Sequence, residues 1–114
     1  MLFDYKLEKK GSTCIIHLSG NLIEGNQAIP LLKETDNILQ DGTRVIILEL
    51  KNLKYMNSMG LGTLITMLTK ARKTSGEVII CGVSQKIKEL LIITKLNSVF
   101  TVTETLEEAI KKIK

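Results

Sequence analysis

The chain opens on a strict alternation, with Phe3, Tyr5 and Leu7 separated by the charged Asp4, Lys6 and Glu8. A period of two puts each set on one face of a pleated ribbon, which predicts a half-buried strand. Lys10-Gly11-Ser12 reads as a turn, with Gly11 free to take positive φ, and Thr13 to Ser19 as a second strand, so the chain begins with a hairpin. Gly20 to Gly25 is expected to be a loop. From Asn26 to Gln40 the period changes, and Ala28, Leu31, Leu32, Ile38 and Leu39 make the apolar face of a helix. Pro30 falls in its first turn, where a missing N–H costs little, and Asp41-Gly42 stops it.

Arg44 to Leu50 is a nearly continuous aliphatic run, the pattern of a strand buried on both faces. Leu61, Leu64, Ile65 and Leu68 then recur at helical spacing and predict a helix over Met59 to Thr74, with Ser75-Gly76 at its C-terminal end. Glu77 to Cys81 is the next strand, broken by Gly82. Ser84 is placed to cap a short helix carrying Ile87, Leu90, Leu91 and Ile93 on its apolar side. Val99 to Val102 reads as a short last strand. Thr105 and Glu108 have capping-box spacing for a final helix with Leu106, Ala109, Ile110 and Ile113. The order β-β-α-β-α-β-α-β-α predicts an α/β fold in one domain over residues 1–114: a mixed, mostly parallel sheet with an N-terminal antiparallel hairpin and four helices.

Composition narrows the function. Of 114 residues, 44% are apolar and mostly aliphatic, while two Tyr, two Phe and no Trp leave little stacking surface for bases or sugars. The net charge of +4 hints at nucleic acid, but Lys111, Lys112 and Lys114 in the C-terminal tail supply three of those charges. Lys70, Arg72 and Lys73 finish a helix, where cations suit the negative dipole end. No direct nucleic-acid surface is expected. Cys14 and Cys81 lack CxxC spacing and sit among aliphatic neighbours, as small core residues of a reducing compartment do. The charged alternation from Phe3 to Lys10 is not a signal peptide, and no apolar run approaches the ~20 residues that cross a bilayer. A soluble, cytoplasmic protein with no membrane insertion is expected.

Convergent reactive groups are scarce, so no enzyme, metal or cofactor is expected. His17 is the sole histidine and is expected to face solvent, opposite Cys14, Ile16 and Leu18, without the partners a metal site or triad needs. There is no GxxxxGK[ST] or GxGxxG loop. Gly60-Leu61-Gly62 is half a dinucleotide fingerprint, which makes Gly60 and Gly62 possible anion or nucleotide contacts and nucleotide binding the third reading. Asp36, Asp41 and Glu24 are scattered over separate elements. Glu49, near the exit of the buried strand, either caps a loop or contacts the Ser58 region.

The stretch from Tyr55 to Gly62 carries the most chemistry, because it puts a lone hydroxyl, Ser58, where a strand gives way to a helix. There it lies near unpaired N–H groups and the positive end of the helix dipole, where a phosphate is favoured. The alternative is that Ser58 is a simple N-cap.

Asn57-Ser58-Met59-Gly60-Leu61-Gly62 resembles the Asp-Ser-(Ser/Thr)-Gly-Leu-Gly junction of the STAS domain, the fold of bacterial anti-sigma factor antagonists. The resemblance covers nearly the whole chain. It takes in Leu18-Ser19-Gly20, Val45 to Leu50, Gly82-Val83-Ser84, Leu90 to Phe100 and Glu108-Ala109. It implies that Ser58 is a phosphorylation site and that Met56, Asn57, Ser58, Met59, Gly60 and Leu61 bind a partner, with Met56, Met59 and Leu61 as an adaptable apolar rim. The implied partners are an anti-sigma factor acting as serine kinase, released when Ser58 is phosphorylated, and a PP2C-type phosphatase that resets the switch. Asn57 stands where the family has an acidic residue, and Met59 where it has a second hydroxyl; Ile23 and Glu24 fall near another acidic position. A constitutive adaptor or scaffold, in a signalling assembly or a lipid-transport complex, is the second reading.

Overall fold

The structure is a computed structural model describing residues 2–113, so Lys114 of the cationic tail lies outside the described residues. β1 (Asp4–Lys10) and β2 (Thr13–Leu22) form the predicted antiparallel hairpin around Gly11, whose φ is +62°. β3 (Val45–Met56), β4 (Glu77–Cys81) and β5 (Thr101–Thr103) add in parallel, giving the sheet order β1-β2-β3-β4-β5. Each crossover from β2 onward therefore steps to the next neighbour in one direction. Right-handed crossovers of that kind keep their helices on one face. α1 (Ile29–Gln40), α2 (Ser58–Lys73) and α3 (Gln85–Ile93) do pack together on that face, over Ile16, Leu18, Ile46, Leu48 and Ile80. α4 (Leu106–Lys112) covers the other face through Ala109, over Ile15, Ile47 and Ile79. Both faces of β3 are buried along Ile46, Ile47 and Leu48, which is why its sequence is a continuous apolar run.

Two strands outrun their predicted ends, and the functional junction depends on it. β2 continues through Gly20 to Leu22, and β3 continues past Leu50 to Met56. The β3–β4 pairing stops at Glu49 and Cys81, so beyond it β3 has only β2 beside it, with register shifts around Ser19 and Gly20. One edge is thus solvated, which admits Lys51, Asn52 and Lys54 while Leu53 and Met56 stay buried. An aliphatic-run criterion ends the strand too early for that reason.

Smaller corrections follow from local geometry. The first turn before α1 is a 3-10 turn, Gly25–Ala28, closed by the Gln27 side-chain oxygen, which accepts from the Ile23 and Glu24 N–H groups at 3.0 and 2.9 Å. After α2 the left-handed residue is Ser75, at φ +65°, and not Gly76. Gly76 is required because a Cβ there would lie 2.6 Å from the Arg44 carbonyl oxygen. Ile93 is 78% exposed, because it ends α3 out of step with the buried Ile87 and Leu91. Val99 lies outside the last strand, which begins at Thr101 after a 3-10 turn over Leu96–Ser98. The capping box and the N-cap are as expected: Thr105 and Glu108 close α4, and Ser84 caps α3. Lys70 pairs with Asp36 at 3.0 Å and joins α2 to α1. Both cysteines are free and buried, and burial pushes their thiols up, Cys81 to about 11 with Glu49 adding to it. Among the described residues no helix is long and apolar enough to cross a membrane.

Candidate functional site

The strand β3 delivers the chain to Asn57, and α2 begins at the next residue. Asn57 is extended, with φ −108° and ψ −170°, as an N-cap must be. Its Oδ1 accepts from the Gly60 N–H at 3.1 Å, and its Nδ2 donates to the Ile23 carbonyl at 3.2 Å. The cap is therefore Asn57 and not Ser58, and the N-cap reading of Ser58 is corrected. Ser58 is the first helical residue, exposed, and among the described residues its hydroxyl takes part in no hydrogen bond. A side chain not needed for folding is available for chemistry.

The amide also accounts for an asparagine at this position. An aspartate would cap equally well but would turn an oxygen toward the Ile23 carbonyl. We expect Asn57→Ala to lower unfolding free energy by about 1–2 kcal/mol, through loss of the cap and the strand tie. Ser58→Ala should change it by less than about 0.5 kcal/mol, as surface substitutions do. Urea melts of both variants check the assignment; equal losses would return the cap to Ser58.

Around this serine the predicted partner-binding residues divide. Asn57 is half-buried, and Met59 is 60% exposed, beside Ser58. Met56 is only 5% exposed and Leu61 3%, and Gly60 is buried, so these three support the junction from beneath. A Cβ on Gly60 would collide with the Leu22 carbonyl and lie 2.7 Å from Met56 Cγ. The apolar rim is Met59 together with Tyr55, which is 50% exposed; strict alternation does not find Tyr55, because Leu53, two residues before it, is buried. The anion reading of Gly60 is corrected too, since Asn57 already holds its N–H. Gly62 lies further along the helix with open space around it.

Beside Ser58 a cleft of about 330 Å³ opens between the β3–α2 junction and α3. Met56 and Ile87 supply its apolar wall, and Lys54 and Lys86 also line it. Lys54 comes from β3 and Lys86 from α3, so sequence spacing does not bring the two together. A larger hollow, about 430 Å³ between α3 and β5, does not include the serine.

A second cluster lies on the α4 face of the sheet. His17 Nε2 is 3.1 Å from Glu8 Oε1 and Nδ1 is 3.2 Å from Glu49 Oε1, so one ring bridges β1, β2 and β3. Glu49 also accepts from the Lys51 N–H at 3.2 Å, two residues on in the same strand, and so serves β3 where it parts from β4 and not the Ser58 region. His17 is thus partly buried and paired, not simply solvent-facing. Among the described residues no group of three or more His, Cys, Asp or Glu is arranged to hold a metal. Desolvation pulls the His17 pKa down, but the hydrogen bonds to Glu8 and Glu49 outweigh it and raise the value above 6.5. Its stabilisation is full below that ordinary value and fades as pH rises through the raised one. Glu8 is lowered below 4.5, first by its hydrogen bond to His17, so its share persists above 4.5 and is lost as pH falls further. Between those limits the stability margin over His17→Gln should be largest; urea melts at pH 5.5 and 8 should show it shrinking with pH.

The STAS domain family model matches residues 4–109. Over 80 residues the chain is 39% identical to the anti-sigma-B factor antagonist of Staphylococcus aureus (strain NCTC 8325 / PS 47), covering 69% of this chain and 74% of that protein. The fold matches the anti-sigma factor antagonist SpoIIAA in its unphosphorylated form, with TM-score 0.77, 21% identity and coverage of 96% and 97% of the two chains. It also matches the Bacillus cell fate determinant SpoIIAA in the phosphorylated form, with TM-score 0.72, 22% identity and coverage of 97% and 100%. An open β3–α2 junction on a sheet built in this order is an α/β module of the kind these proteins share. The chain belongs to the STAS domain family.

Proposed function

We propose that this chain is an anti-sigma factor antagonist that switches partners through Ser58. Unphosphorylated, it binds an anti-sigma factor that is also a serine kinase and so frees the sigma factor. The kinase transfers the γ-phosphoryl group of ATP to the Ser58 hydroxyl, ADP leaves, and the modified antagonist dissociates; a PP2C-type phosphatase restores it. The cytoplasm, where sigma factors act, is where this cycle would run.

The observation that carries the proposal is that Asn57 performs the capping and leaves the Ser58 hydroxyl exposed and unused. A phosphoserine adds about −1.5 to −2 charges at neutral pH, next to an apolar pair, Tyr55 and Met59, that suits a partner surface. The relative named as an anti-sigma-B factor antagonist and the phosphorylated SpoIIAA neighbour support the same reading. The test is the intact mass of the protein from its native host, with and without phosphatase, followed by mapping of the phosphate. Phosphate on Ser58 is the expected result. An unmodified protein that also stays inert to host lysate and ATP would overturn the switch in favour of the constitutive adaptor.

A further inference from the structure

The cleft beside Ser58 is cationic as well as apolar. Lys54 reaches it from β3 and Lys86 from the first turn of α3, and no carboxylate lines it. Among the described residues neither ammonium has a carboxylate within ion-pair distance. Two cations from separate elements therefore share one hollow whose walls, Met56 and Ile87, are fully packed side chains.

We propose that this cleft is the receptor for the phosphoryl group of Ser58 itself. The inference rests on Ser58 being phosphorylated, and it adds where the phosphate goes. A phosphoserine carries three acceptor oxygens that require donors. The Gly60 N–H, which a capping oxygen would use, is already held by Asn57. Ser58 lines the cleft directly, so the dianion turns into it and lies between Lys54 and Lys86. The phosphorylated state is then more than a charged version of the free one: its cleft is filled and its lysines are neutralised. A partner that seats a side chain in that hollow is displaced by occupancy as well as by repulsion.

The experiment uses the full chain with phosphoserine installed at position 58 during translation, read by phosphorus NMR across pH. The phosphate should titrate below its ordinary second pKa of about 6. In K54Q/K86Q its proton affinity should rise by about threefold, from loss of two nearby cations. K51Q/K88Q, which removes the same charge from outside the cleft, should leave it unchanged. Amide spectra confirm that each variant is folded. Identical titrations in the wild-type and K54Q/K86Q proteins, or an equal rise in K51Q/K88Q, would overturn the proposal. No kinase is involved, so this failure would leave the switch standing; an unphosphorylated protein from the host would instead remove the switch itself.

Discussion

Replacing Gly60 with alanine should destabilise the domain by on the order of 3 kcal/mol, although the same change inside a helix ordinarily stabilises it. The helix gain of about 1 kcal/mol is real, because glycine is the more flexible residue in the unfolded chain. It is outweighed because the new Cβ would run into the Leu22 carbonyl and approach Met56 Cγ to 2.7 Å. Leu22 ends β2 and pairs in register with Met56, so neither neighbour can withdraw without breaking the sheet beside the junction. Gly62 supplies the control two residues on. A Cβ there meets nothing within 4 Å, so Gly62→Ala should gain about 0.5–1 kcal/mol. Thermal melts should move in opposite directions, by about 4 °C or more per kcal/mol in a domain of this size. Equal shifts of one sign would mean that helix propensity, and not the closeness of β2, sets the need for glycine at position 60.

The second large effect is on binding. Ser58→Ala should hold the anti-sigma factor of the same organism within about threefold of wild type, since the hydroxyl supports neither the fold nor a cap. Ser58→Asp should weaken it by at least tenfold, equivalent to about 1.4 kcal/mol, because a charge covered by a partner without full pairing costs more than that. Calorimetric titration of both variants separates the two STAS readings. If alanine and aspartate bind alike, the domain is an adaptor whose contacts ignore charge at position 58.

The order of elements was legible because the signals were local: alternation in β1, helical spacing in α2, and cap residues such as Ser84 and Thr105. The family resemblance was legible in the Asn57 to Gly62 segment. What escaped depended on partners distant in sequence. The end of β3 could not be placed because its last residues pair with β2 alone. His17 looked isolated because Glu8 and Glu49 reach it across two neighbouring strands. Met56 looked like a rim residue, although its burial follows from packing beneath Gly60. The capping role of Asn57 was open to a local reading, since the Gly60 N–H lies three residues on; only the tie of the same amide to the Ile23 carbonyl, 34 residues away in sequence, was not.

The most direct measurement follows the complex of this protein with its anti-sigma factor by native mass spectrometry after ATP is added. Phosphate should build up on Ser58 and the complex should fall apart in step with it, while the Ser58→Ala complex persists. A complex that survives with Ser58 fully phosphorylated, or that dissociates equally in the alanine variant, would contradict the switch.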